Sequence, residues 1–188
     1  MKFCSNCGNK VEHKIPPNDN RLRYVCSHCE IIHYQNPNIV AGTIPEYQGK
    51  ILLCKRAIEP RHGYWTLPAG FMENQETTTE AAERETWEEA EAKVTIDGLY
   101  SVINVPQIDQ VHIFFRATVL GGNYGAGPES LETELFAEED IPWDDLAFPT
   151  VKRTLKLYLE ERKKGKFGVH VSDIIREPRK YQGPLALS

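Results

Sequence analysis

The chain has 188 residues, 40% of them apolar, and its 22 Lys and Arg against 27 Asp and Glu leave a net charge of −5. That length suits one ordinary domain plus a small accessory module, and the acidic balance argues against a protein that coats nucleic acid. The opening "MKFCSNCGNK" lacks the apolar core of a secretion signal, and no apolar run reaches the roughly 18 to 20 residues of a membrane helix. A cytoplasmic protein with no membrane partner is expected.

Cys4 and Cys7, then Cys26 and Cys29, form two C-x2-C pairs with eighteen residues between them. Thiolates with this spacing on tight turns reach one tetrahedral ion, and two such turns complete a Cys4 zinc site. Two disulfides are the alternative, disfavoured in a chain without a secretion signal. Gly8 follows the first pair, where a knuckle turn needs a residue tolerant of unusual φ. "RLRYV" (21–25) and "IIHYQ" (31–35) flank the second pair as a hairpin. Residues 1–36 therefore read as a zinc ribbon whose Zn²⁺ supplies most of its folding energy. The fifth cysteine, Cys54 in "ILLCKRA", reads as a small buried strand residue.

"NPN" (36–38) punctuates the boundary, and a second domain over 37–174 follows. The runs at 39–47 and 51–57 read as strands joined by a Gln-Gly turn, and those at 93–105 and 111–120 as further strands rich in β-branched and aromatic residues. "GGNYGAGPE" fits neither a phosphate-binding P-loop nor a dinucleotide fingerprint and reads as a mobile loop. "LETELFAEEDI" resumes structure. Apolar residues at 151, 155, 158 and 159 give residues 150–166 a helical period, with the lysines and arginines on a solvated face. Residues 175–188 read as a loosely held tail.

The most informative stretch is "GFMENQETTTEAAERETWEEAEA" (70–92). Between Glu76 and Glu91 it holds seven acidic residues and one basic residue, Arg84. Thr77 and Glu80 form a T-x-x-E capping box, which starts a helix near residue 78. On that helix Glu85, Glu88 and Glu89 stand at i, i+3 and i+4 and share a face with small neighbours. Like charges at this spacing repel. A hard divalent cation, which takes oxygen ligands and bridges carboxylates to phosphates, would resolve the repulsion.

The spacing also resembles the Nudix signature, G-x5-E-x7-R-E-U-x-E-E-x-G-U with U a bulky aliphatic residue. Gly70, Glu76, Arg84, Glu85, Glu88 and Glu89 match in register. Thr86 stands where the family has an aliphatic residue, and Glu91 where it has the Gly that lets the chain leave the helix with φ > 0. The resemblance implies an α+β fold, a Nudix α/β/α sandwich with a mixed sheet, preceded in the chain by the small Cys4 zinc ribbon. It also implies hydrolysis of nucleoside diphosphates linked to another group, with Mg²⁺ or Mn²⁺. Glu85, Glu88 and Glu89 would hold the metal with the backbone carbonyl of Ala69, while Arg84 and Glu76 pair to brace the loop–helix junction at Gly70. A distal-loop glutamate is a candidate general base. Glu129, Glu132 and Glu134 are available, strand alternation puts the last two on one face, and Glu132 is the expected base.

Among ribbon-bearing Nudix enzymes, the NADH pyrophosphatases carry an S-Q-P-W-P-F-P-type motif that has no counterpart in "VINVPQIDQVHIFF". "WTLPAGFMEN", "RETWEEAEAKV" and "ESLETELFAEEDIPWDDLAF" are instead similar to the FAD and ADP-ribose pyrophosphatase group. That likeness implies a small-molecule nucleotide substrate, cleaved to AMP plus FMN or ribose 5-phosphate, and a homodimer. Tyr64 or Trp65 is placed to stack adenine and Arg56 to meet phosphate. NADH hydrolysis, or an RNA-binding or sensor role through the ribbon, is the alternative, although nucleic acid is not the expected partner.

Overall fold

A computed structural model of the protein describes residues 1–175. The expected tail lies, beyond Ile175, outside the described residues. The chain divides into two compact units, Met1–Asn36 and a second that starts at Pro37. Among the described residues no helix is long and apolar enough to cross a membrane.

In the first unit, β1 (Val11–Lys14), β2 (Arg23–Cys26) and β3 (Ile32–His33) form an antiparallel sheet in the order β1-β2-β3. β1 is an addition to the expected hairpin. Gly8 has φ +72° and its amide donates to the Cys4 carbonyl at 2.9 Å, which closes the first knuckle.

The second unit is built on a mixed sheet. β4 (Asn38–Tyr47) and β5 (Lys50–Arg56) form a hairpin in which Tyr47 pairs with Lys50. Its two-residue turn, Gln48-Gly49, has φ of 49° and 78°, the left-handed pair that a tight hairpin requires. β6 (Trp65–Thr66) and β7 (Ala69–Phe71) follow, then helix α1 (Thr78–Ala90). β8 (Val94–Val105), β9 (Gln110–Val119) and β10 (Ser130–Phe136) complete the main strands, before helix α2 (Pro149–Lys164) and β11 (His170–Asp173). The strand order is β10-β5-β4-β9-β8-β11, with β6 on β5 and β7 on β4. The β4–β9 and β8–β11 pairs are parallel.

Alternation along these strands sorts their residues onto two faces. Ile44, Ile51, Leu53, Phe114 and Phe136 pack with Val151, Leu155, Tyr158 and Leu159 of α2. Ala41, Leu52, Cys54, Phe115 and Val119 point the other way, into clusters that contain Ala81, Ala82 and Ala90 of α1. "ILLC" is a continuous apolar run because it is buried on both sides. Cys54 is the buried strand residue the sequence suggests, and burial pushes its thiol well above the usual range. The result is an α+β sandwich with one helix on each face.

α1 lies close to β4 because the contact residues are small. Thr86, at the aliphatic position of the signature, is fully buried, and its hydroxyl donates to the Ala82 carbonyl at 2.7 Å. The hydroxyls of Thr43 and Thr86 are 2.7 Å apart. With its proton committed to Ala82, Thr86 is the acceptor and Thr43 the donor. Thr86→Val leaves the Thr43 hydroxyl buried without a partner and should cost about 1–3 kcal/mol. Thr43→Val removes the donor and should cost less, and the double variant should recover most of the Thr86→Val loss. Urea denaturation of the four proteins checks this order.

Candidate active site

The site begins where β4 changes partners. Its first half, Val40–Gly42, pairs with β7, and its end, Glu46–Tyr47, pairs with β5. A Cβ on Gly42 would overlap Ala69 and the Pro68 carbonyl, so glycine is what lets β7 approach. The next residue of β7, Gly70, faces α1, and a Cβ there would overlap the Glu85 carboxylate. The signature glycine is thus required by close approach to a carboxylate. α1 starts with the expected capping box, Thr77 accepting from the Glu80 amide while Glu80 accepts from the Thr77 amide.

Glu85 and Glu89 are 9% and 6% exposed, whereas the Glu88 side chain is 54% exposed. The Ala69 amide donates to Glu89 Oε2 at 3.2 Å. Burial pushes the Glu89 carboxyl up to about 8; the Ala69 hydrogen bond and Arg56 oppose the shift, and the charges of Glu85 and Glu129 add to it. Burial also raises Glu85, against the pull of Arg84 and with the push of Glu88 and Glu129. Arg84 ties the cluster together. Its guanidinium is 2.8 Å from Glu76, 2.7 Å from Glu85 and 3.0 Å from Glu88, and it donates to the Phe71 carbonyl at 3.1 Å. The expected Arg84–Glu76 brace is therefore one arm of a wider hub. Glu85 and Glu89 offer carboxylate oxygens, the ligand type a hard divalent cation takes.

The helix exit explains the Glu91 departure. Glu91 takes the left-handed conformation at φ 46° and ψ 25°, and its amide donates to the Trp87 carbonyl. The chain thus leaves α1 as a glycine would direct it. The Gly-rich loop packs onto this end. The Gly125 amide donates to the Ala90 carbonyl at 2.8 Å and the Gly127 amide to the Glu89 carbonyl at 3.2 Å. This segment, expected to be mobile, acts as the helix cap.

Of the three candidate bases, Glu129 acts electrostatically on both Glu85 and Glu89. Glu132 is in register with Lys55, and Glu134 with Leu53. Both therefore share a face with Leu53, which packs in the α2 cluster. Glu132 pairs with Lys55 at 3.3 Å on that face, across the sheet from the α1 glutamates. Glu129 escaped the strand argument because it lies in the turn before β10, beyond a register shift between Ser130 and Glu132.

Trp65 is also in register with Lys55 and is buried edge-on to Phe136, with ring centroids 4.9 Å apart. It belongs to the α2-face core. Tyr64 is half-buried, with the Arg61 guanidinium 5.3 Å from its ring. Arg56 donates to the Pro60 carbonyl at 2.8 Å and lies 5.1 Å from the Phe148 ring, and its charge reaches Glu89. Arg56 is thus brought to the glutamates, and Trp65 is not.

A second centre lies in the first unit. The sulfurs of Cys4, Cys7, Cys26 and Cys29 all lie within 4.8 Å of one another, and the cysteines form no disulfide. Hydrogen bonds from Asn9 lower the Cys7 thiol to about 6, whereas Cys29, against a hydrogen bond from the Ile31 amide, is raised to about 11 by burial and the neighbouring sulfurs. Four sulfurs at this spacing fit one tetrahedral ion.

Residues 37–158 match the model for the NUDIX domain, and residues 2–35 match that of the Nudix N-terminal zinc ribbon. The chain belongs to the Nudix family. A NUDIX hydrolase from Nitrosomonas europaea is 52% identical, with a TM-score of 0.90 over 93% of this chain and 99% of that one. An ADP-ribose pyrophosphatase from Methanocaldococcus jannaschii is 35% identical over 113 residues, 58% of this chain and 67% of that protein. The NAD-capped RNA hydrolase NudC of Salmonella typhi is 30% identical over 144 residues, which are 75% of this chain but 53% of that protein. The chain thus spans about half the length of its NudC relatives. The family makes it a Nudix pyrophosphohydrolase.

The Nudix brace gives a pH prediction. Hydrogen bonds from Arg84 and the Glu73 amide hold the Glu76 carboxyl at about 2, below its ordinary 4.5. A depressed acid stabilises the fold above its unfolded pKa, and that contribution is lost as pH falls through the folded value. Wild type should therefore melt above Glu76→Gln at neutral pH, and the gap should close between about pH 4.5 and 2. Thermal melts across that range measure it.

Proposed function

We propose that this chain hydrolyses the pyrophosphate bond of a nucleoside diphosphate derivative of the ADP-ribose type, releasing AMP and ribose 5-phosphate, with Mg²⁺ or Mn²⁺ at the α1 carboxylates. The observation that carries the reading is the buried pair Glu85 and Glu89, one helical turn apart on the signature helix, with Glu85 held by Arg84 and Glu89 by the Ala69 amide. Such a pair favours a divalent cation over two bare charges. A bound cation there neutralises the pyrophosphate and lowers the pKa of water. In this reading Glu85, Glu88 and Glu89 hold it with the Ala69 carbonyl. Glu129 orients the attacking water and takes its proton, Arg56 meets a substrate phosphate, and Tyr64 offers a ring to adenine. Arg84 and Glu76 keep the glutamates in place.

The M. jannaschii relative's name supports ADP-ribose. FAD shares its ADP half and remains an arm of the test. The likeness to NudC, which spans 75% of this chain, favours a second reading in which an NAD-type pyrophosphate, free or at an RNA end, is cleaved. ADP-ribose, FAD, NADH and NAD-capped RNA, each incubated with Mn²⁺, separate these readings by which one releases a mononucleotide fastest. Glu88→Gln should abolish turnover. Glu129→Gln should lower kcat by about 10²–10⁴-fold, as expected for loss of a general base, and Glu132→Gln should not. The reverse order would return the base to Glu132, and turnover confined to NADH or capped RNA would overturn the ADP-ribose reading.

Zn²⁺ is the proposed ion of the Cys4 centre. One equivalent of zinc per chain is expected, and Cys26→Ser should lose it together with the ordered ribbon amides in an NMR spectrum. A homodimer is also proposed. The edge strand β11, where Val171 is 72% exposed, supports it and light scattering tests it.

A further inference from the structure

The Gly-rich loop is tied to the end of α1 by backbone hydrogen bonds. Gly127 is buried, its amide donates to the Glu89 carbonyl at 3.2 Å, and a Cβ on it would land on the Glu88 carbonyl oxygen. Gly127 does not have a positive φ. Its need for glycine therefore comes from close approach and not from backbone conformation. The following residues form a tight turn. The Ser130 amide donates to the Gly127 carbonyl at 3.0 Å, with Pro128 second and Glu129 third in the turn. The Glu129 carbonyl in turn accepts from the Ala57 amide at 2.8 Å. From the last turn of α1 to Glu129 there are thus two residues and no flexible side chain.

We propose that Gly127 is a positioning residue: by seating directly on the Glu88 and Glu89 peptides, it sets the distance between the α1 glutamates and Glu129. This rests on the reading in which those carboxylates form one hydrolytic site. A side chain at 127 must push the turn off the helix end, and Glu129 goes with it. Gly125, two residues earlier, differs. The tight contact of a Cβ there is with the Glu91 carboxylate, at 2.7 Å, the far end of a flexible side chain that is able to swing aside.

The test compares Gly127→Ala and Gly125→Ala, each alone and with Glu129→Gln. Gly127→Ala should lower kcat by about 10²-fold, the scale for a misplaced catalytic group, with KM little changed. It should add nothing in the Glu129→Gln background, because both changes remove the same placed carboxylate. It should also weaken Mn²⁺ binding, read by electron paramagnetic resonance, by at least about tenfold, as loss of a supporting contact does. Gly125→Ala should match wild type in both assays. Wild-type rates and Mn²⁺ affinity in Gly127→Ala, or losses that multiply in the double variant, overturn the proposal. If Gly127→Ala does not fold, a glycine inserted after Gly127 lengthens the tether without adding a side chain and should give the same kcat loss. If wild type cleaves none of the four substrates, the hydrolytic reading fails by itself. The Mn²⁺ measurements still decide whether Gly127 seats the glutamates.

Discussion

Burying Glu85 and Glu89 against β7 removes two carboxylates from water within one turn of helix, and neither has a lysine beside it in the α1 sequence. The surroundings of α1 answer that constraint. Arg84 spans three glutamates and anchors to the Phe71 carbonyl, so the strand, the loop and the helix share one cation. The Ala69 amide turns toward Glu89. These contacts offset part of the desolvation and leave Glu89 still raised to about 8. A fully satisfied cluster would have no use for a cation. In the proposed reading a divalent cation would supply the compensation that these contacts leave incomplete.

The same constraint sets how closely backbones must approach. Gly42 lets β7 near β4, Gly70 admits the Glu85 carboxylate, and alanines line the α1 contact. At this distance an aliphatic side chain at 86 would leave Thr43 without an acceptor. The threonine that departs from the signature is therefore matched to its neighbour on β4. Thr86 and Thr43 form a local solution, and either one alone is worse than both together.

Much of this was legible in the sequence. The signature spacing carried the helix, its cap and the glutamates, because these depend on residues within twenty positions of one another. Apolar runs carried β4 and β5, β-branched and aromatic content carried β8 and β9, and the C-x2-C pairs carried the sulfur cluster. Features set by register were not legible. Strand alternation put Glu132 and Glu134 on one face, as found, but nothing local says which face looks toward α1. Trp65 is adjacent to the site in sequence, and its pairing with Lys55 turns it into the α2 core. Arg56 ends β5, and its charge reaches Glu89. β11 was missed because its four residues alternate weakly and are stabilised by parallel pairing with β8.

Glu91 shows how a departure from a signature can leave its geometry intact. A left-handed residue that is not glycine costs roughly 1–2 kcal/mol, and Glu91 adopts that conformation all the same. The exit does not rest on Glu91 alone, since the Gly125 and Gly127 amides satisfy the Ala90 and Glu89 carbonyls from outside the helix. Glycine is thus dispensable at the exit and required in the loop that closes over it. The family's usual residue supplies conformational freedom at one position. In this chain the same helix end is held by close packing from a segment far along the sequence, and that segment also carries Glu129.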